Sequence, residues 1–194
     1  MRPAMSKAPA ATQGKPMKGI VFNVLEEVVV AHHGEAVWDD LLDAAGSNGV
    51  YTSLGSYPDD HMTRLVKAAA DALGMPPADV VRWFGRQAMP RFAERYPEFF
   101  TAYASTRPFV LALNTIIHPE VRKLYTGALC PNFDFEDGED GALLIGYRSP
   151  RKLCALAHGF IEGAADYYHQ HAEVEHLECM HRGDPRCLMR MMVH

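Results

Sequence analysis

The residues best equipped for chemistry fall into three groups. In the first, Asn114-Thr115-Ile116-Ile117-His118-Pro119 puts one imidazole on an apolar helical face with a proline directly behind it. Pro119 has no N–H to give the Thr115 carbonyl, so the helix is expected to bend where the imidazole projects. A neutral imidazole on a bent helix suits a metal ligand, including a ligand to haem iron, which needs a fixed ring and an open trans position. It equally suits a plain core histidine. In the second group, Tyr147, Ser149 and Arg151 alternate along a candidate strand, so they share a face. Two hydroxyls and one guanidinium can hold a pair of carboxylates, with a bidentate contact from Arg151; a solvated strand end is the plainer alternative. The third group is His176-x2-Cys179-x7-Cys187, joined by Cys154 from the preceding helix, a donor set for zinc. His158 and His181 are rival nitrogen ligands, and three separate buried thiols plus a surface imidazole is the alternative. Cys130 falls outside this pattern.

Bulk properties narrow the setting. A chain of 194 residues with 48% apolar content can bury a real core as one domain or as two lobes. The net charge of −5 argues against nucleic acid, which selects a basic stripe. No run approaches the roughly 18 apolar residues of a membrane span, so no membrane association is expected. Residues 1–16 are rich in Ala, Pro and Lys and lack the apolar centre of a secretion signal. They are expected to form a disordered leader, with the fold occupying 17–194 and the protein cytoplasmic. Outside an oxidising compartment the four cysteines weigh toward metal or redox roles rather than disulfides.

The elements that must carry these groups follow from periodicity. Ile20, Val21, Val24, Leu25, Val28 and Val29 make a helical stripe over 17–33, and a second helix covers 35–45. Asp59 or Asp60 caps a third running to Leu73. Pro76-Pro77-Ala78-Asp79 opens a fourth, in which Pro90 predicts a kink or early break. A short aromatic helix follows over 96–104, and Thr106 or Arg107 begins the helix that bears His118. Near Pro131 the period shifts to two. Strands are expected over 132–136 and 142–149, then an amphipathic helix over 153–169, then a hairpin of 173–181 with 187–193. The fold class is therefore α+β: a helical N-terminal lobe of about 17–126 packed on a C-terminal lobe of about 127–194, a four-stranded antiparallel sheet with one long helix.

Three segments together carry a resemblance. His-Pro-Glu-Val-Arg-Lys-Leu-Tyr at 118–125, Tyr-x-Ser-x-Arg at 147–151 and Met17-Lys18-Gly19-Ile20-Val21 are similar to the haem-nitric oxide/oxygen binding (H-NOX) family, related to the haem domain of soluble guanylate cyclase. The similarity extends to Trp38-Asp39-Asp40 and Tyr51-Thr52-Ser53-Leu54-Gly55. It implies haem b held between the lobes, His118 as proximal iron ligand, and Tyr147, Ser149 and Arg151 on the propionates. Pro131 matches the proline that presses on the macrocycle, while Cys130 stands where some members have a second proline. Some members also carry a zinc site of the Cys154, His176, Cys179, Cys187 pattern, whose thiols could serve as a redox input.

The resemblance also bears on which gas is bound. Members that hold oxygen place a tyrosine where this chain has Leu156, with polar support where it has Leu25 and Ala88. Losing one charge-assisted hydrogen bond costs ~1.5–3 kcal/mol, roughly ten- to a hundredfold in affinity. Val21, Leu25, Ala88, Phe92 and Leu156 thus predict an apolar distal pocket that binds nitric oxide, and also admits carbon monoxide, while excluding oxygen. The implied function is a bacterial signalling domain rather than an enzyme: release of the His118–iron bond rotates the lobes and informs a separate histidine kinase or cyclic-di-nucleotide enzyme. A zinc/thiol redox module with haem secondary is the alternative. A haem peroxidase is disfavoured by the lack of a polar distal acid–base pair.

Overall fold

The computed structural model describes residues 16–194. The leader expected over 1–16 lies outside them except for Pro16. Met17–Lys18 forms a short strand β1 that pairs antiparallel with β2, Ser56–Tyr57, a contact the periodicity did not foresee. The helices α1 (Gly19–His33), α2 (Glu35–Ala45), α3 (Asp59–Leu73) and α4 (Pro77–Arg95) follow the expected apolar stripes. Gly46 and Gly74 close α2 and α3 in the left-handed region, at φ of 59° and 61°. Of the kink or early break expected at Pro90, the break does not occur: helix α4 runs through that residue. Short helices α5 (Pro97–Thr101) and α6 (Thr106–Leu111) lead into a π-helical turn, Leu113–Ile117, and then α7, His118–Leu124.

The C-terminal part is the expected sheet. Strands β3 (Asn132–Asp137), β4 (Leu143–Arg148), β5 (Ala172–Glu178) and β6 (Cys187–Val193) are all antiparallel in the order β3-β4-β6-β5. Two hairpins therefore meet along β4 and β6, with α8 (Cys154–Tyr167) between them in sequence. Alternation explains the burial: Leu143, Ile145 and Tyr147 of β4 and Cys187, Met189 and Met191 of β6 all point into one core.

Buried residues fall into two clusters. One joins α1, α2 and α3 with Phe84 and Ala88 of α4 and with Tyr125. The other joins the sheet and α8 with Phe100, Phe109, Val110 and Ile117. The division between the two clusters passes through α4. The reason is aromatic packing: Phe100 lies 5.0 Å from the Tyr167 ring, and the Tyr168 hydroxyl donates to the Phe100 carbonyl at 2.8 Å. Helices α4 and α8 form the seam between the clusters. A Cβ at Gly159 would overlap the Arg82 carbonyl, and one at Gly163 would lie 2.5 Å from the Arg86 carbonyl. The two backbones are in direct contact there. Arg82 spans the seam to Glu162 (Nε–Oε2 2.9 Å), and Arg86 does so to Asp166 (Nε–Oδ2 2.6 Å).

Candidate functional site

His118 lines a cavity of about 310 Å³ that opens between the two clusters. The turn preceding it explains its presentation. Pro119 withholds a donor, and the ladder answers by widening: Ile117 N donates to the Ala112 carbonyl at 3.1 Å, five residues back, and His118 N likewise reaches Leu113. The expected sharp bend is therefore taken up as a π-helical turn. Asn114 anchors that turn to β3, donating through Nδ2 to the Phe133 carbonyl at 2.6 Å, and the Phe133 ring stacks 5.8 Å from the imidazole. Burial, with a lesser contribution from Arg122, pulls the His118 pKa down to about 4, so the ring is neutral at pH 7. Its Nδ1 is buried and has no partner among the described residues. An unsatisfied buried nitrogen costs stability, and ligand sites are where such a cost is tolerated.

The rest of the lining is overwhelmingly apolar. Val21, Phe92 and Leu156 all face the cavity, as does Pro131. Leu25 and Ala88 are not among its lining residues; they are buried in the α1–α4 packing. One end carries the polar groups. Tyr147, Ser149 and Arg151 converge there, although only Tyr147 lies on the strand and the other two follow the end of β4 in a turn. Leu153 N donates to the Tyr147 hydroxyl at 3.0 Å, and burial raises the Tyr147 pKa, keeping the phenol protonated. The Arg151 guanidinium donates from Nε to both Asp59 carboxylate oxygens at 2.9 Å, from Nη1 to the Leu129 carbonyl and from Nη2 to the Pro16 carbonyl. It thereby ties the sheet's end to α3 and to the N-terminal strand, and it already recognises a carboxylate.

A family model described as Haem-NO-binding matches residues 18–176. An H-NOX protein from S. oneidensis in the Fe(II)NO ligation state is 35% identical, with a TM-score of 0.86 over 92% of this chain and 99% of that chain. The Shewanella oneidensis H-NOX domain in the Fe(II)CO ligation state is 34% identical, with a TM-score of 0.83 and the same coverage of 92% and 99%. An unliganded Fe(II) H-NOX protein from K. algicida shares the fold at 22% identity, with a TM-score of 0.79 over 92% of this chain and 97% of that one. The chain belongs to the haem-NO-binding family. Its members are haem-based gas sensors.

The cavity fits the family's haem on its own chemistry: a neutral imidazole with an unpartnered buried nitrogen, apolar walls, and a guanidinium with two hydroxyls at one end. Two lining features escaped sequence reasoning. Phe133 could have been read from its alternation with Phe135 on β3. The hydrogen bond between the Tyr96 and Tyr125 hydroxyls, which joins the end of α4 to the end of α7, left no local signal.

Three of the four cysteines gather elsewhere, at the start of α8 against the β5–β6 hairpin. All four are free thiols. Cys154 and Cys187 lie 3.8 and 3.9 Å from Cys179, sulfur to sulfur. Three ligand atoms, of Cys154, His176 and Cys179, lie within 4.8 Å of one another. Burial raises the Cys154 and Cys187 pKa values. At Cys179 burial also pushes upward, but the His181 N–H, the neighbouring thiols and Arg182 bring it below its usual value. Of the rival imidazoles, His181 is paired through Nε2 with the Lys152 carbonyl at 2.7 Å, whereas His158 contacts His176. Cys130 lines the His118 cavity instead. Among the described residues no helix is long and apolar enough to cross a membrane.

Proposed function

We propose that this chain senses nitric oxide at ferrous haem b, excludes oxygen, and passes the signal to a separate protein without catalysing a reaction itself. The observation that carries the reading is His118: a neutral imidazole with an orphaned buried nitrogen, set by a π-helical turn on the wall of an apolar cavity. In this reading His118 would hold the haem iron, Tyr147, Ser149 and Arg151 would hold the propionates, and Pro131 would pack against the macrocycle. Bound haem would supply a ferrous iron able to take up the gas, with His118 holding that iron. Val21, Phe92 and Leu156 wall the gas side and offer it no hydrogen-bond donor. Bound oxygen is polarised and depends on such a donor, worth ~1.5–3 kcal/mol, whereas nitric oxide depends on it far less. Carbon monoxide is expected to bind on the same grounds.

A change in the hold on His118 would be passed to α7, and the π-helical turn would let the ladder relax there. The α1–α3 cluster then moves against the sheet cluster, a two-state element biased by the ligand. A cytoplasmic histidine kinase or a cyclic-di-nucleotide enzyme of a bacterium is the partner this reading expects. His118→Gly in haem-loaded protein is expected to abolish nitric-oxide-dependent regulation of that partner. Regulation that survives the substitution refutes the linkage.

The thiol cluster supports a second site, a structural zinc held by Cys154, Cys179, Cys187 and His176. Zinc–sulfur bonds of about 2.3 Å place tetrahedral sulfurs about 3.8 Å apart, and the two distances to Cys179, 3.8 and 3.9 Å, match. Oxidation of the thiols would release the metal, which keeps the redox-module reading open as the alternative. Metal analysis of protein purified under reducing conditions, with Cys179→Ala beside it, separates the cases. One zinc per chain, lost in the variant, is the expected result.

A further inference from the structure

We propose that His158 is the positioning residue of the thiol–histidine cluster: it orients His176 toward the metal and anchors it, through Glu162 and Arg82, to the α4–α8 seam. This rests on the zinc reading above and goes beyond its four ligands. His158 sits one helical turn after Cys154, so α8 delivers both to the same corner of β5. Its Nδ1 lies 3.1 Å from His176 Nε2, with the ring centroids 5.2 Å apart. A histidine held through one ring nitrogen presents the other to a metal in a fixed orientation.

The remaining contacts show why His158 is the support and His176 the ligand. His176, not His158, falls within 4.8 Å of the Cys154 and Cys179 sulfurs. The His158 side chain is only 8% exposed, and its Nε2 has no hydrogen-bond partner among the described residues. Glu162 Oε1 lies 3.6 Å from that nitrogen, one turn further along α8. Glu162 is itself held by both Nε and Nη2 of Arg82 on α4. The order in space is therefore ligand, imidazole, carboxylate, guanidinium, in which the imidazole–carboxylate step at 3.6 Å is a close polar contact beyond hydrogen-bond distance. It extends by one imidazole the carboxylate–histidine support that fixes metal-bound histidines. Burying an imidazole with one open nitrogen costs stability and packs no better than an apolar side chain, so packing alone does not account for it.

The test is zinc affinity by chelator competition on the full chain under reducing conditions. His158→Ala is expected to weaken zinc binding by about ten- to a hundredfold while leaving one zinc per chain at saturation. His158→Asn, whose amide can reach His176 as Nδ1 does, is expected to recover most of the loss. Glu162→Gln should fall between wild type and His158→Ala. Cobalt substitution supplies a second readout: the number of thiolate ligands read from the charge-transfer bands should not change in His158→Ala. Unchanged affinity in His158→Ala, with zinc still bound, overturns the positioning role and leaves the zinc site standing. Loss of the metal in His158→Ala together with unchanged affinity in His176→Ala reverses the two roles and equally overturns it. Wild-type protein that binds no zinc removes the site and the inference with it. Thermal melts of His158→Ala and His158→Asn guard against a folding defect, since a structural cause would lower both and give no rescue.

Discussion

Leu156 presents an isobutyl group on the cavity wall, and under the proposed function it takes the place where a hydroxyl would stabilise bound oxygen. Leu156→Tyr is expected to raise oxygen affinity about ten- to a hundredfold, read as a slower oxygen dissociation rate. No change in that rate would mean that selectivity lies elsewhere in the pocket. A second prediction concerns buried imidazoles. His118 and His158 have pKa values lowered from 6.5 to about 4, chiefly by burial, and His176 is lowered too. A histidine whose folded value lies below its unfolded value binds its proton more readily when unfolded. Its contribution is whole above about pH 6.5 and is lost as the pH falls through about 4. Ligand-free protein should therefore show a lower urea midpoint at pH 5 than at pH 7, with a shallower fall in His118→Leu. A flat profile would show that these rings are solvated. The identity of these side chains was legible in the sequence, but their partners were not. Tyr147, Ser149 and Arg151 line the cavity through a turn after β4 rather than by the strand alternation their spacing suggested, and the Arg151 contact with Asp59 spans a separation no local pattern encodes.

Among the elements, the turn before His118 and the α4–α8 seam matter most. Pro119 advertised a disturbed helix, but proline chemistry alone does not decide between a kink and a widened ladder. The Asn114 bond to β3 and the Phe133 stack favour the widened form. Pro90 shows the converse, since tertiary packing carries α4 through a residue that normally interrupts a helix. The seam was unreadable in advance because Gly85, Gly159 and Gly163 are informative only once two helices face each other. Gly159→Ala is expected to destabilise the fold by about 1–3 kcal/mol, since the added methyl meets backbone rather than a yielding side chain. A fall of several degrees in the melting temperature checks this; an unchanged melt would mean that the helices can separate freely.

For the whole molecule, the periodicity shift near Pro131 separated helices from sheet, while the two buried clusters divide within α4. Helices α5 and α6 pack with the sheet, and the cavity lies where the α1–α3 cluster meets that larger body. His118 and Phe133 approach the cavity from the sheet side, Val21 from the helical side, and Arg151 links the two through Asp59. A ligand in this position can bias how the two bodies sit. The measurement that tests the central claim most directly is the absorption spectrum of reduced, haem-loaded protein in argon, in air and with nitric oxide. The account predicts a haem spectrum unchanged by air apart from slow oxidation, and a nitric oxide spectrum showing that His118 has left the iron. A stable oxygen-bound spectrum, or retention of the histidine ligand with nitric oxide bound, would contradict it.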